Sequence, residues 1–166
     1  MNDAQHISFM EEALIEAKLA SDKGEVPIGA IIVHDGKIIA RAHNHTEQDQ
    51  DPLFHAEILA IHEASSYLGL RRLNNCTMYV TLEPCIMCAG AIVLARIPEL
   101  YIACKDPKTG AVSSLYELLS DTRLNHQCSI HYGLLEEDSS ILLKTFFRQL
   151  RNGDIKKTVS SRFEHE

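Results

Sequence analysis

Nothing in this chain restricts its fold more than two short segments that have to meet. They are His55-Ala56-Glu57 and, beginning 29 residues after the histidine, Pro84-Cys85-Ile86-Met87-Cys88. Cysteines three apart at a helix start can face one ion, and the exposed backbone N–H groups there favour their thiolate forms. His55, at a second helix start, completes a set of three ligands. Three protein ligands with no obvious fourth suit an open catalytic zinc site, because a structural site closes its tetrahedron. The spacing therefore predicts one catalytic Zn2+ per subunit, held by His55, Cys85 and Cys88.

Glu57 lies two residues past His55. Along a helix two residues diverge by about 200°, so Glu57 is expected to approach the metal's water from the side instead of ligating. From there its carboxylate can take a proton from that water and deliver it to a ring nitrogen and then to a departing amine. The combination H-x-E with P-C-x-x-C is the pattern of nucleobase and nucleoside deaminases, a motif match and not a deduction from spacing alone. Three other readings stay open here. A CxxC can be redox-active, although such a pair has no partner HxE. A structural zinc would need a fourth ligand, for which His43, His45, His62, Cys104 and Cys128 are nominal candidates. Glu57 could also be a capping carboxylate.

Periodicity supplies the elements around these motifs. Apolar positions predict a helix over 6–22, opened by a capping box of Ser8 and Glu11 and ended by Gly24. Strands at 26–34 and 37–44 flank Asp35-Gly36, a strong hairpin signal. A polar loop over 45–53 precedes a helix at 54–67 with Ala56, Leu59, Ala60 and Ala64 inward. Strand 76–82 then leads into a short, wholly buried helix at 85–95, followed by strand 99–104. A polar loop over 105–113, a short helix at Ser114–Leu119 and a strand at 129–134 come next. The last helix runs from Glu136 to Arg151 or beyond, its inner face formed by Ile141, Leu142, Thr145, Phe146 and Leu150. This order predicts an α/β fold with a mixed five-stranded sheet in three layers: the hairpin is antiparallel and helical crossovers favour parallel pairing.

At 166 residues and 45% hydrophobic, the chain suits one domain with a real core. The domain is placed at 1–152, with 153–166 a C-terminal tail or helix extension. Five cysteines form no disulfide ladder, and Cys76, Cys104 and Cys128 lie in or beside apolar segments, as small buried hydrophobes do. No apolar run approaches the roughly 20 residues a bilayer requires, so no membrane association is expected. The N-terminus is acidic and polar, which favours the cytoplasm. Net charge is −7, yet Lys144, Arg148, Arg151, Lys156, Lys157 and Arg162 face only Asp154 near the C-terminus. That segment is either a solvated face or a local anion-binding patch.

Beyond the motifs, NHTEQDQDPLFHAEILAI, TLEPCIMCAGAIVLARI, KDPKTGAVSSL and FFRQLR resemble the bacterial tRNA-specific adenosine deaminases, within the cytidine-deaminase-like superfamily. The resemblance covers about residues 7–152. It implies the cytidine-deaminase-like α/β/α fold, zinc at His55, Cys85 and Cys88, and Glu57 as proton shuttle. It further implies that Asn44 contacts the base, that the backbone around Ala56 floors the base pocket, that Asp106 and Lys108 meet the anticodon, and that Arg148 lies near the RNA. The implied reaction converts the wobble adenosine of a tRNA anticodon stem-loop, most typically an arginine tRNA, to inosine, in a homodimer. Two segments depart from the family pattern: AVSS at 111–114 lacks the frequent glycine at 113, and HTEQDQ after Asn44 lacks an Arg-Pro. On residue chemistry alone, Asn44 can instead cap a loop, Asp106 can cap a turn with Pro107, and Lys108 and Arg148 can be surface charges. A deaminase of a free base such as guanine, and a non-catalytic zinc-stabilised RNA-binding module, are the rival functions.

Overall fold

A computed structural model describes residues 1–155, so the expected tail lies outside the described residues from 156 onward, together with Lys156, Lys157 and Arg162. The chain runs α1 (Asp3–Asp22), β1 (Gly29–His34), β2 (Lys37–His43), α2 (Thr46–Asp49), α3 (Ala56–Leu68), β3 (Cys76–Leu82), α4 (Ile86–Ala95), β4 (Glu99–Cys104), β5 (Ser129–Tyr132) and α5 (Glu136–Asn152). The strands form one sheet in the order β2-β1-β3-β4-β5. β1 pairs antiparallel with both β2 and β3, whereas β3, β4 and β5 run parallel. The predicted mixed five-stranded sheet is thus the one observed.

Alternation along the strands divides the core between the two faces. Ile31, Val33, Tyr79 and Ala103 pack under α1 with Met10 and Ala13. Ala30, Ile32, Met78, Val80, Leu100 and Ile102 pack on the other face with the small residues of α3 and α4. The approach of α1 to β1 is set by Gly29. A Cβ there would sit 2.1 Å from the carbonyl oxygen of Ala13 and 2.5 Å from the nitrogen of Ala17. The same glycine donates its N–H to Thr81 Oγ1 at 3.0 Å, tying β1 to β3.

Several local expectations are corrected. Helix α1 starts at Asp3, not near Ser8: Asn2 and Gln5 form the capping box, each side chain bonding the other's backbone N–H at 3.0 Å. The 45–53 loop contains the one-turn α2, and 114–119 forms turns instead of a helix. Leu119, together with Ala111 and Val112 just before the segment, joins the core without regular structure. α4 is not wholly buried, since Ile86 and Leu94 stand 55% and 81% exposed. On α5 the buried residues are Ser139 and Phe146, while Ile141 is exposed. Cys76, Cys104 and Cys128 are buried free thiols, in line with their apolar surroundings.

Candidate active site

Two helix starts converge as the motifs require. His55 is the N-cap of α3 and Cys85 the N-cap of α4, both in extended conformation, with Cys88 buried in the first turn of α4. His55 Nδ1 lies 3.6 Å from Cys85 Sγ and 3.5 Å from Cys88 Sγ. The three ligand atoms all fall within 4.8 Å of one another, a group able to hold a metal ion. Because His55 precedes the helix, the 200° divergence does not govern Glu57. An extended residue at the N-cap, followed by helical backbone, is what separates the two side chains.

The two thiols are driven in opposite directions. Hydrogen bonding to Cys88 and then the nearby His55 pull Cys85 down to about 4, against the opposing effect of burial. Cys88 moves up, through its bond to Cys85 and then its burial. His55 is raised by its bond to Cys85, with the Glu57 charge adding to the effect and burial opposing it. A bound cation would invert this arrangement by favouring both thiolates.

Glu57 is 3% exposed, and its Oε2 has no hydrogen-bond partner among the described residues. Burial pushes its carboxyl up to about 7, against the His55 charge and its hydrogen bonds. An unpartnered acid oxygen in a dry site costs stability. It also leaves that atom available for a ligand.

Asn44, at the end of β2, is buried, and its Oδ1 accepts the N–H of Ala56 at 3.0 Å. It therefore holds the first residue of α3, a capping role that leaves its amide nitrogen to donate elsewhere. Asp106 folds its own loop, with Oδ1 accepting the N–H groups of Lys108 at 2.9 Å and Thr109 at 3.3 Å. The Lys108 side chain is exposed. Arg148 is exposed on α5, and among the described residues no hydrogen bond or ion pair links it to the metal-binding group.

Three buried carboxylates were not singled out from sequence, and one of them is Glu16, whose Oε2 lies 2.8 Å from His43 Nδ1. Glu25, fully buried, accepts from Thr46 Oγ1, Glu47 N and Gln48 N at 3.3, 3.2 and 2.6 Å, capping α2 in the loop beside Asn44. Glu83, 2% exposed, sits between the end of β3 and the first ligand cysteine and bonds the 106–114 loop. Burial acts to raise Glu83, yet the Ser114 hydroxyl and the N–H groups of Ser113, Asp106 and Ser114 hold it below the ordinary carboxylate range. The available signal was an acid between an apolar strand and Pro84.

The MafB19-like deaminase family matches residues 4–151. The tRNA-specific adenosine deaminase of Bacillus subtilis (strain 168) is 52% identical over 143 residues, covering 86% of this chain and 89% of that protein. The chain belongs to the tRNA-specific adenosine deaminase family. A second member, from Aquifex aeolicus (strain VF5), is 50% identical over 147 residues, 89% of this chain and 97% of its own length. A solved structure from a study of A-to-I editing by tRNA:A34 deaminases at the wobble position superposes with a TM-score of 0.79 at 47% identity. That match covers 82% of this chain and 99% of the other. The likeness to family members spans both motif segments and the loops beside them. None of the described helices is long and apolar enough to cross a membrane.

Proposed function

We propose that this chain hydrolytically deaminates the wobble adenosine of a tRNA anticodon to inosine, as a zinc enzyme. The observation that carries the reading is the convergence of His55, Cys85 and Cys88 beside the buried Glu57, whose Oε2 has no partner among the described residues, in a chain about half identical to proteins named for that activity. Tetrahedral zinc with bonds of about 2.3 Å to sulfur and 2.05 Å to nitrogen separates those ligand atoms by about 3.6 Å. The observed 3.5 and 3.6 Å match this. Zinc bound by these three residues supplies a Lewis acid that makes water acidic near neutral pH.

The chain's own residues supply the rest. Glu57 takes one proton from the water on a carboxylate oxygen and passes it to N1 of adenine as the oxygen adds to C6. It then takes the remaining proton from that added hydroxyl and delivers it to the 6-amino group, so that the C6–N bond breaks, ammonia leaves and the C6 carbonyl of inosine forms. Its raised affinity for a proton suits both halves of this task. Asn44, already fixed by Ala56, offers its amide nitrogen to the base, and the backbone at Ala56 floors the pocket. An anticodon loop presents its base unpaired, so placing it in the pocket costs less than flipping it from a duplex. Asp106 and Lys108, on the loop bonded to Glu83, and Arg148 on α5 are assigned to the RNA.

An arginine tRNA is the expected substrate, on family resemblance. The exposed Ile86 and Leu94 of α4 give a second copy of the chain an apolar surface to cover, consistent with a homodimer. The deaminase domain is taken as 1–152, and a tRNA substrate is consistent with a cytoplasmic location.

The test uses Glu57→Ala with an anticodon stem-loop, alongside free guanine, adenine and cytosine. Wild type should form inosine in the stem-loop, and the variant should keep stoichiometric zinc and its fold but lose turnover by about 10²-fold or more. Near-normal activity in the variant would sink the role of Glu57. Preference for free guanine would replace tRNA with a free base, and stem-loop binding without inosine would favour the non-catalytic module.

A further inference from the structure

Glu83 is the point at which two parts of the site are joined. Its Oε1 accepts the N–H groups of Val112, Ser113 and Ser114 at 3.1, 2.7 and 3.0 Å. Its Oε2 accepts the N–H of Asp106 at 3.0 Å and the hydroxyl of Ser114. One carboxylate thus holds both ends of the 106–114 loop.

The loop has no helix or strand to fix it, so these bonds replace a ladder. It also lies against the ligand segment: Ala111 N donates to Pro84 O at 2.8 Å, and Cys85 forms an isolated bridge with Gly110. Gly110 is where the loop presses closest, since a Cβ there would lie 2.4 Å from Glu83 Cδ. Glu83 does not itself belong to the metal-binding group. Its backbone N–H donates to Cys104 O at 2.9 Å, which fixes the carboxylate relative to the sheet.

We infer that Glu83 is a positioning residue that sets the RNA-contacting conformation of the 106–114 loop, and through it the affinity for the anticodon. The inference rests on the tRNA reading above. Asp106 and Lys108 lie at one end of the bonded segment, and the bond from Asp106 N to the carboxylate is what ties that end to the residue after β3. A contact of this kind, made away from the reacting atoms, acts equally on bound substrate and transition state. Its loss therefore raises KM and leaves kcat in place.

Glu83→Gln keeps shape and one acceptor oxygen but turns an NH2 group toward the N–H of Asp106. Two measurements test it on the full zinc-loaded protein. Amide hydrogen exchange at Asp106, Val112, Ser113 and Ser114 should accelerate about tenfold or more, with exchange in α3 and α4 unchanged. KM for the stem-loop should rise about tenfold with kcat within about twofold, and zinc should stay stoichiometric. Ser114→Ala, which removes only one donor, gives a smaller shift in the same direction and serves if the Gln variant does not fold.

Unchanged exchange overturns the inference, as does faster exchange with KM unmoved, which would make Glu83 only structural. Loss of zinc together with kcat also overturns it, by showing that Glu83 acts on the ligands. Failure of the tRNA reading is separately visible, because wild type would then give no inosine in the stem-loop. In that case the KM part of the inference falls, while the exchange measurement still decides whether Glu83 holds the loop.

Discussion

Glu57 is an acid whose ionisation the fold opposes, and in the metal-free protein that opposition has a calculable size. Unfolded, its carboxyl titrates near the ordinary 4.5, whereas burial in the native state raises it to about 7. Between those values the native protein keeps a proton that the unfolded chain releases, so native stability falls as pH rises. At 1.36 kcal/mol per pH unit, the full penalty is about 3 kcal/mol above pH 7, of which about 2–3 kcal/mol develops between pH 5 and pH 8.5. Glu57→Gln cannot ionise and escapes it. With an unfolding entropy of about 2.1 cal/mol/K per residue, the variant's Tm should rise relative to wild type by about 6–9 °C across that range. The assay is thermal unfolding of both proteins in excess chelator at half-unit pH steps. His55 and the two cysteines titrate in both proteins, so only their coupling to the Glu57 charge remains in the difference. A Tm difference that stays flat with pH, or that shrinks as pH rises, would refute the claim that Glu57 is held dry against its charge.

Two further substitutions probe the frame of the site. Gly29→Ala places a methyl group inside the van der Waals shell of the α1 backbone, so α1 must move off the sheet. A loss of about 3 kcal/mol, or about 9 °C in Tm by calorimetry, is expected, and a shift under 1 °C would contradict the packing. Asn44→Ala leaves the buried Ala56 N–H without its acceptor and should lower stability by about 1–3 kcal/mol in denaturant melts. If Asn44 also contacts the base, deamination of the stem-loop should fall further than the folded fraction does, and a proportional fall would leave it only its capping role.

Legibility followed the range of the interactions. The metal-binding group was readable because each half of it is local: a cysteine pair three apart and an HxE, both at helix starts. The hairpin and both sheet-facing patterns were readable for the same reason, since turn chemistry and alternation are properties of a few neighbouring residues. Helix α1 was misplaced by several residues because Ser8/Glu11 and Asn2/Gln5 offer the same capping chemistry. What distinguishes the earlier start is a tertiary contact of the extra turn, where His6 Nδ1 lies 2.8 Å from the Tyr79 hydroxyl and its ring stacks on Tyr101. The 114–119 segment looked helical by composition, but its N–H groups bond outside it: Ser114 bonds the distant Glu83 carboxylate, and Leu115 and Leu118 bond the carbonyls of Gly110 and Ala111.

Sequence by itself therefore determined which groups come together: three side chains able to hold a metal ion, an acid two residues from one of them, and an α/β frame with a mixed sheet. It could not assign Glu83 or Glu25, because an acidic residue reads as solvent-facing until its partners are known, and those lie about twenty to thirty residues away along the chain. Tertiary structure alone decided that these carboxylates are buried and that Asn44 is committed through one oxygen to Ala56. It also decided that Glu57 is left without a partner for its second oxygen. The physical reason is common to all of them. The cost of burying a polar group is fixed by its surroundings, and those surroundings are assembled from parts of the chain that no local pattern connects.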